Sequence, residues 1–157
     1  MKRALLEKIV SGGQTGVDQA ALTVAISLGI PHGGWCPLGR RCETGDIPSH
    51  FRLLEMPTAS YAARTRQNVI DSDATLILYR GTLSGGTLLT CEIAEQLGRP
   101  LFRLDLERTV APTEAQEWLT RFAVATLNVA GPRESSCPGI HLQARHFLGE
   151  LFPITEP

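Results

Sequence analysis

The chain has 157 residues, 43% of them hydrophobic and 20% charged, which is typical of a globular protein large enough to form its own core. The formal net charge of -1 argues against an overall electrostatic attraction to nucleic acid or to a membrane surface. No stretch approaches the ~18 consecutive apolar residues of a membrane-spanning helix, and the first apolar run is too short for a signal peptide. We therefore expect one cytoplasmic domain covering residues 1–157.

The first predicted unit is a strand, a glycine-rich loop and a helix. Ile9 and Val10 lead into SGGQTG (11–16), and the apolar stretch Val17–Leu28 follows. Glycines permit positive φ and close approach of a ligand to the backbone, and a helix N-terminus offers unpaired N–H groups to an anion. The loop therefore predicts a phosphate site, although a plain strand-to-helix turn is the alternative. The candidate ligand-binding residues are Gly12, Gly13, Gln14, Thr15 and Gly16.

Residues 31–35 form a predicted short strand, which an irregular connection over 36–57 follows. Long connections are often functional, so Arg40 in this connection could clamp a polar ligand. The alternative is that Arg40 lies in solvent. A predicted helix over 61–69 then places polar side chains on one face, because their spacing is i, i+3, i+4 and i+7. That face, which we interpret as the wall of a cleft rather than a wet surface, consists of Tyr61, Arg64, Thr65 and Asn68.

A second strand, glycine loop and helix unit begins at Ala74–Tyr79. This nearly continuous apolar run indicates a central parallel strand that is buried on both faces. The helix that follows extends to residue 97, and its N-terminus again coincides with glycines and hydroxyls. The predicted anion-binding residues there are Ser84, Gly85, Gly86 and Thr87.

The C-terminal third repeats the alternation. Residues 100–104 form a predicted strand, residues 112–124 a helix and Thr126–Ala130 a further strand. A third loop of small and polar residues follows and contains Arg133, a candidate for phosphate neutralisation. The apolar stripe of the final helix, at i, i+4, i+7, i+8 and i+11, consists of Ile140, Ala144, Phe147, Leu148 and Leu151.

This alternation predicts an α/β fold, a Rossmann-like, mostly parallel sheet with helices on both faces. Ligands of such sheets bind beyond the carboxyl ends of the strands, where all three loops fall. The dinucleotide fingerprint G-x-G-x-x-G and the P-loop G-x-x-x-x-G-K-[ST] are absent, which disfavours an ordinary hydride-transfer enzyme or ATPase. The four cysteines, Cys36, Cys42, Cys91 and Cys137, form no C-x-x-C pair, so we expect no protein metal site.

Six segments resemble, in chain order, the family of putative molybdenum (molybdenum cofactor) carrier proteins. They are SGGQTGVDQAA (11–21), GWCPxGR (34–40), YxxRTxxNV (61–69), DSDAT (71–75), GGTxxT (85–90) and LNVAGPR (127–133). The resemblance implies a Rossmann-like nucleotide-sensing fold and the carriage of a phosphorylated pterin bearing molybdenum. The metal would be held mainly by the pterin's own sulfurs, so the protein need not supply a thiolate.

Two wider relatives give further expectations. SGGxxGVD (11–18) is similar to the S-G-G-A-x-G-I-D loop of DNA-processing proteins that protect single-stranded DNA. Their G-x-R-x-x-S turn comes earlier in the chain, whereas GPRESS (131–136) comes late here. A circular permutation would produce this order, and it would place the strand Thr126–Ala130 beside the strand at 9–11.

The second relative is the family of cytokinin-activating phosphoribohydrolases, with the motif P-G-G-x-G-T-x-x-E. SGGTLLTCE (84–92) keeps two glycines and Glu92 but lacks the Pro, the third Gly and the Thr at their places. This departure disfavours the hydrolase chemistry.

We weigh three functions. The preferred one is a non-catalytic carrier of a small phosphorylated ligand, a nucleotide or the molybdenum cofactor. Arg40, Arg64 and Arg133 would neutralise its charge, and Trp35 or Tyr61 would stack on its ring. The first alternative is a nucleotide N-glycosidase or phosphoribohydrolase-like enzyme, with Glu92 or Asp18 as the catalytic carboxylate.

The second alternative is a single-stranded nucleic-acid binder. The net charge of -1 and the 6% aromatic content disfavour it, because such proteins need a basic channel with stacking aromatics. We also expect a homo-oligomer and no association with membranes.

Overall fold

The structure is a computed structural model that describes residues 6–109 and 111–152. Its helices are α1 (Val17–Leu28), α2 (Tyr61–Ile70), α3 (Gly85–Gln96), α4 (Pro112–Arg121) and α5 (Ile140–Leu151). Its strands are β1 (Lys8–Val10), β2 (His32–Gly33), β3 (Trp35–Cys36), β4 (Arg41–Cys42), β5 (Gly45–Asp46), β6 (Leu54–Glu55), β7 (Ala74–Tyr79), β8 (Leu101–Asp105) and β9 (Thr126–Ala130).

A five-stranded parallel sheet in the order β2-β1-β9-β7-β8 forms the centre. On one side of the sheet, α1, α4 and α5 share a hydrophobic cluster with strand residues such as Leu76 and Leu127. On the other side, α2 and α3 form a separate cluster around Val69 and Ile93. The predicted Rossmann-like α/β fold is confirmed, and the long buried run of β7 is explained by the layers on its two faces.

Strand β9 lies between β1 and β7. Leu127 pairs in register with Ile9 of β1, and Val129 pairs with Leu76 of β7. The last of the described strands therefore occupies the centre of the sheet, next to the first of them. This is the neighbour relation that a circular permutation predicts.

The strand predicted over 31–35 is divided at Gly34. His32–Gly33 joins the central sheet beside β1, whereas Trp35–Cys36 pairs with β6. Gly34 has φ of 124°, and an added Cβ would overlap the carbonyl oxygen of Ser11. Only glycine permits this bend, which carries the chain from one sheet to the other.

The connection over 36–57 is ordered around Arg40 rather than structureless. It contains the antiparallel hairpin of β4 and β5. The Arg40 guanidinium donates to the carbonyl oxygens of Pro48 at 3.0 Å and Phe51 at 2.9 Å. Cys36, Ile47 and Phe51 form a small buried cluster beneath it. Arg40 thus holds its own connection together.

Within the described residues, no helix has the length and apolar character needed to cross a membrane.

Candidate functional site

A cleft opens beyond the carboxyl ends of β7 and β9, where the loops that follow these strands meet the start of α1 and one face of α2. Its volume is about 360 Å³, within the range of small-molecule sites. The predicted site and cleft-wall residues that line it are Gln14, Asp18, Tyr61, Arg64, Thr65, Ser84, Gly85, Gly86, Thr87 and Arg133. The position of the cleft agrees with the general rule for open α/β sheets.

The N-terminus of α3 forms the donor side of the cleft. Leu88 is the first residue whose N–H bonds back along the helix, to the Ser84 carbonyl oxygen at 3.2 Å, so the three preceding N–H groups have no intrahelical acceptor. The Ser84 side chain makes no capping bond. A Cβ added at Gly85 or Gly86 would meet no atom of the described residues within 4 Å. These backbone donors and the positive end of the helix dipole suit an anion.

Arg64, Arg80 and Arg133 bring positive charge to the same cleft. The Arg80 Nε donates to the Cys137 sulfur at 2.9 Å, and the same guanidinium also donates to the Pro138 carbonyl oxygen. The Arg133 side chain is exposed at the rim. Among the described residues, neither Arg80 nor Arg133 lies within ion-pair distance of a carboxylate.

Asp18, in the first turn of α1, is the buried carboxylate of the cleft, with 3% of its surface exposed. It accepts a hydrogen bond from the Gln14 N–H at 3.2 Å and lies 3.6 Å from an Arg64 nitrogen. Burial raises the pKa of Asp18 to about 6, although Arg64 and hydrogen bonds from the loop oppose the rise. The carboxyl group therefore titrates slightly below neutral pH and is largely ionised at pH 7.

The first glycine loop does not present its glycines to the cleft. A Cβ added at Gly12 would overlap the Arg64 guanidinium, so that side chain covers Gly12. At Gly13 an added Cβ would lie 2.6 Å from Leu53. Neither glycine lines the cleft, and both instead give room to side chains that pack over the loop.

Gly16 and Thr15 join the first loop to the third. An added Cβ at Gly16 would overlap the Pro132 carbonyl oxygen, which itself accepts from the Val17 N–H at 3.2 Å. The Thr15 hydroxyl accepts from the Glu134 N–H at 3.2 Å and donates to the Glu43 carboxylate of the hairpin. Hydrogen bonds from Ser135 and Thr15 lower the pKa of Glu43. Three separate segments are thereby fixed at one edge of the cleft.

Four other predicted site residues lie outside the cleft. The Asn68 amide holds both backbone groups of Trp35, at 2.7 Å and 3.0 Å, while the Trp35 indole donates to Asp71. Arg40 holds carbonyl groups of its own connection. Glu92 is exposed on α3 and does not line the cleft.

Tyr61 lies at the rim of the cleft with 49% of its surface exposed, and its ring centroid is 5.8 Å from the Arg64 guanidinium carbon.

The sequence interpretation missed several residues that line the cleft, namely Arg80, Thr82, Ser136 and Cys137. Arg80 directly follows the carboxyl end of β7, Ser136 is the last residue of the third loop, and Cys137 comes after it. Their position after predicted parallel strands was the available signal. Among the described residues, no group of three or more His, Cys, Asp or Glu side chains could hold a metal ion.

A parallel sheet with helices on both faces, and a cleft beyond the carboxyl ends of its strands, define a Rossmann-like α/β protein. A family model described as the Circularly permutated YpsA SLOG family matches residues 9–152, and the chain belongs to this family. The chain is also similar to the crystal structure of a "Putative molybdenum carrier protein" from Syntrophus aciditrophicus SB. That similarity has a TM-score of 0.94 and 43% sequence identity, over 96% of this chain and 98% of the other. None of the curated proteins matches the chain. The family resemblance predicted from the sequence is confirmed.

Proposed function

We propose that the chain binds a phosphorylated pterin or nucleotide in this cleft and carries it without turnover, with the molybdenum cofactor as the leading candidate. The observation that carries the proposal is the meeting of the α3 N-terminus with Arg80 and Arg133 around one cleft, beside the pair of Arg64 and Asp18. The name of the S. aciditrophicus protein, a putative molybdenum carrier, supports a ligand that bears molybdenum.

Each wall of the cleft has a role in this proposal. The backbone N–H groups of Gly85, Gly86 and Thr87 hold the phosphate, and Arg133 closes over it with charge-assisted hydrogen bonds. The half-exposed ring of Tyr61 offers a face for stacking on a planar pterin or purine. The molybdenum is cargo, bonded to the pterin.

The first test compares ligand-induced stabilisation of the wild type with that of Arg133→Ala. Thermal unfolding is followed with AMP, GMP, NAD, ADP-ribose and the molybdenum cofactor. A ligand at one hundred times its dissociation constant should stabilise the protein by about 2.7 kcal/mol. Arg133→Ala should weaken binding roughly tenfold or more, because hydrogen bonds to charged groups contribute about 1.5–3 kcal/mol.

Arg145→Ala is the matched control, since Arg145 is exposed on α5 and does not line the cleft. It should bind ligand like the wild type. If Arg133→Ala and Arg145→Ala bind the ligand with equal affinity, the ligand does not bind in this cleft. If none of the five ligands stabilises the protein, the carrier function is contradicted.

A hydrolase acting on nucleotides is the second candidate, and Asp18 is the observation that favours it. A buried carboxyl group in a cleft, with a pKa of about 6, is typical of a general acid or base. Glu92, the residue indicated by the motif, faces solvent instead. Recovery of free base and sugar phosphate after incubation with AMP or GMP, lost in Asp18→Asn, would favour the hydrolase. Recovery of intact nucleotide favours the carrier.

A further inference from the structure

The anion position of the first glycine loop is filled by the protein itself. The Asp18 carboxylate folds back from α1 and accepts the Gln14 N–H at 3.2 Å. The Arg64 guanidinium, which lies over Gly12, is 3.6 Å from the same carboxylate. A glycine loop before a helix is ordinarily open to a phosphate. Here a side-chain carboxylate already accepts the loop N–H of Gln14, and the first N–H of α1, that of Val17, donates to the Pro132 carbonyl oxygen.

The wall next to Asp18 adds a second acceptor. The Gln14 side chain is 6% exposed, and its amide nitrogen donates to the Arg41 carbonyl oxygen at 2.9 Å. That bond fixes the amide, and among the described residues its oxygen Oε1 has no hydrogen-bond partner. Gln14 and Asp18 both line the cleft, so the α1 wall presents acceptors while the α3 wall presents donors.

The charged side chains that line the cleft are Asp18, Arg64, Arg80 and Arg133. Asp18 pairs with Arg64. Among the described residues Arg80 and Arg133 form no ion pair within 4 Å, although Glu134 and Glu43 lie near enough for these two arginines to lower their pKa values. These two arginines are the cleft cations left to pair with a phosphomonoester, which carries about -1.5 to -2 at pH 7. A further phosphate that extends from the α3 N-terminus toward α1 would meet the Asp18 carboxylate and the Gln14 oxygen, which line the same cleft, and contact between like charges is unfavourable.

We propose that Asp18 is a specificity-determining residue, which restricts the cleft to ligands with a single phosphate group, bound at the α3 N-terminus, and rejects diphosphates. This inference rests on the proposed function, because it concerns the same cleft. It narrows the ligand class to phosphomonoesters, whether the ring system is a pterin or a purine.

The test is isothermal titration calorimetry with AMP, ADP, GMP and GDP in magnesium-free buffer at pH 8, where Asp18 is ionised. The wild type should bind each monophosphate at least tenfold more tightly than the matching diphosphate. Asp18→Asn keeps an oxygen for the Gln14 N–H and removes the charge. Its preference for the monophosphate should fall by about tenfold, mainly through tighter binding of the diphosphates.

Asp73→Asn serves as the control. Asp73 also accepts backbone N–H groups, from Ala125 and Thr126, but it lies at the opposite end of the sheet, before β7. This variant should keep the wild-type preference. Urea unfolding checks that both variants are folded. If Asp18→Asn is not folded, the ratio of the wild-type affinities for the monophosphates and the diphosphates still tests the inference.

Equal or tighter binding of the diphosphates by the wild type would overturn the inference and leave the proposed carrier function intact. A wild-type preference that Asp18→Asn retains in full would also overturn it. If none of the four nucleotides binds, the inference is overturned. The proposed function then depends on whether the molybdenum cofactor stabilises the protein in the thermal unfolding assay.

Discussion

Gly16→Ala is expected to lower the free energy of unfolding by about 4 kcal/mol. Gly16 has φ of 80° and ψ of -127°, a region that essentially only glycine occupies and in which another residue costs about 1–3 kcal/mol. The new Cβ would also overlap the Pro132 carbonyl oxygen, and forcing an atom into a packed position costs about 1–3 kcal/mol more. Urea-induced unfolding of the wild type and the variant measures the difference.

Gly29→Ala is the matched control for this prediction. Gly29 ends α1 with φ of 70°, but within the part of the chain that the structure describes an added Cβ there has no neighbour within 4 Å. Gly29→Ala should therefore lower the free energy of unfolding by only about 1–2 kcal/mol, the cost of placing alanine in the left-handed conformation. Equal losses in the two variants would mean that the contact between the first and third loops is soft, and that the cleft is less rigid than its hydrogen bonds indicate.

The elements were predictable from the sequence because their patterns are local. The buried run of β7 and the apolar stripe of α5 identify these elements without knowledge of the rest of the chain. The placement of β9 beside β1 was also predictable, but only by comparing motif order with relatives. The division of the strand predicted over 31–35 was not predictable from the sequence. The bend at Gly34 brings it against the Ser11 backbone, and this contact joins loops that are distant in the sequence.

The candidate site was only partly predictable, for a similar reason. The sequence identifies glycine loops after strands, and the loop before α3 indeed borders the cleft. It cannot tell that Arg64 would cover Gly12, or that Arg40 would bind the carbonyl groups of its own connection. Whether a glycine serves a ligand or a neighbouring side chain depends on which tertiary neighbour reaches it. This explains why two similar loops differ in their exposure to the cleft.

Arg64→Met is expected to destabilise the protein by about 3–5 kcal/mol at pH 8. The Arg64 side chain is 12% exposed and lies beside the buried Asp18 carboxylate. Removing one partner leaves the other charge buried and uncompensated, which is the costly way to break such a pair. Methionine keeps much of the length and the apolar part of the arginine side chain. The loss of stability therefore reflects the missing charge more than a change in packing.

The pH dependence of this loss has a defined sign. Burial raises the pKa of Asp18 from 3.8 to about 6, so the folded state binds the proton more tightly than the unfolded chain does. The stabilising contribution of Asp18 is therefore fully present below about pH 4 and is lost as the pH rises through 6. Because Arg64 lowers this pKa, Arg64→Met raises it further, and the destabilisation should shrink markedly at pH 5, where Asp18 is protonated with or without Arg64.

Arg66→Met on the same helix is the control, because Arg66 is exposed and an exposed substitution away from such contacts changes stability by only about 0.5 kcal/mol. Urea unfolding of the wild type and both variants at pH 5 and pH 8 gives the comparison. A loss in Arg64→Met that is the same at both pH values would assign the role of Arg64 to packing over Gly12 and would contradict its pairing with an ionised Asp18. A loss confined to high pH, and abolished when Asp18→Asn is combined with it, would establish that Arg64 is the counter-charge of Asp18 in the cleft.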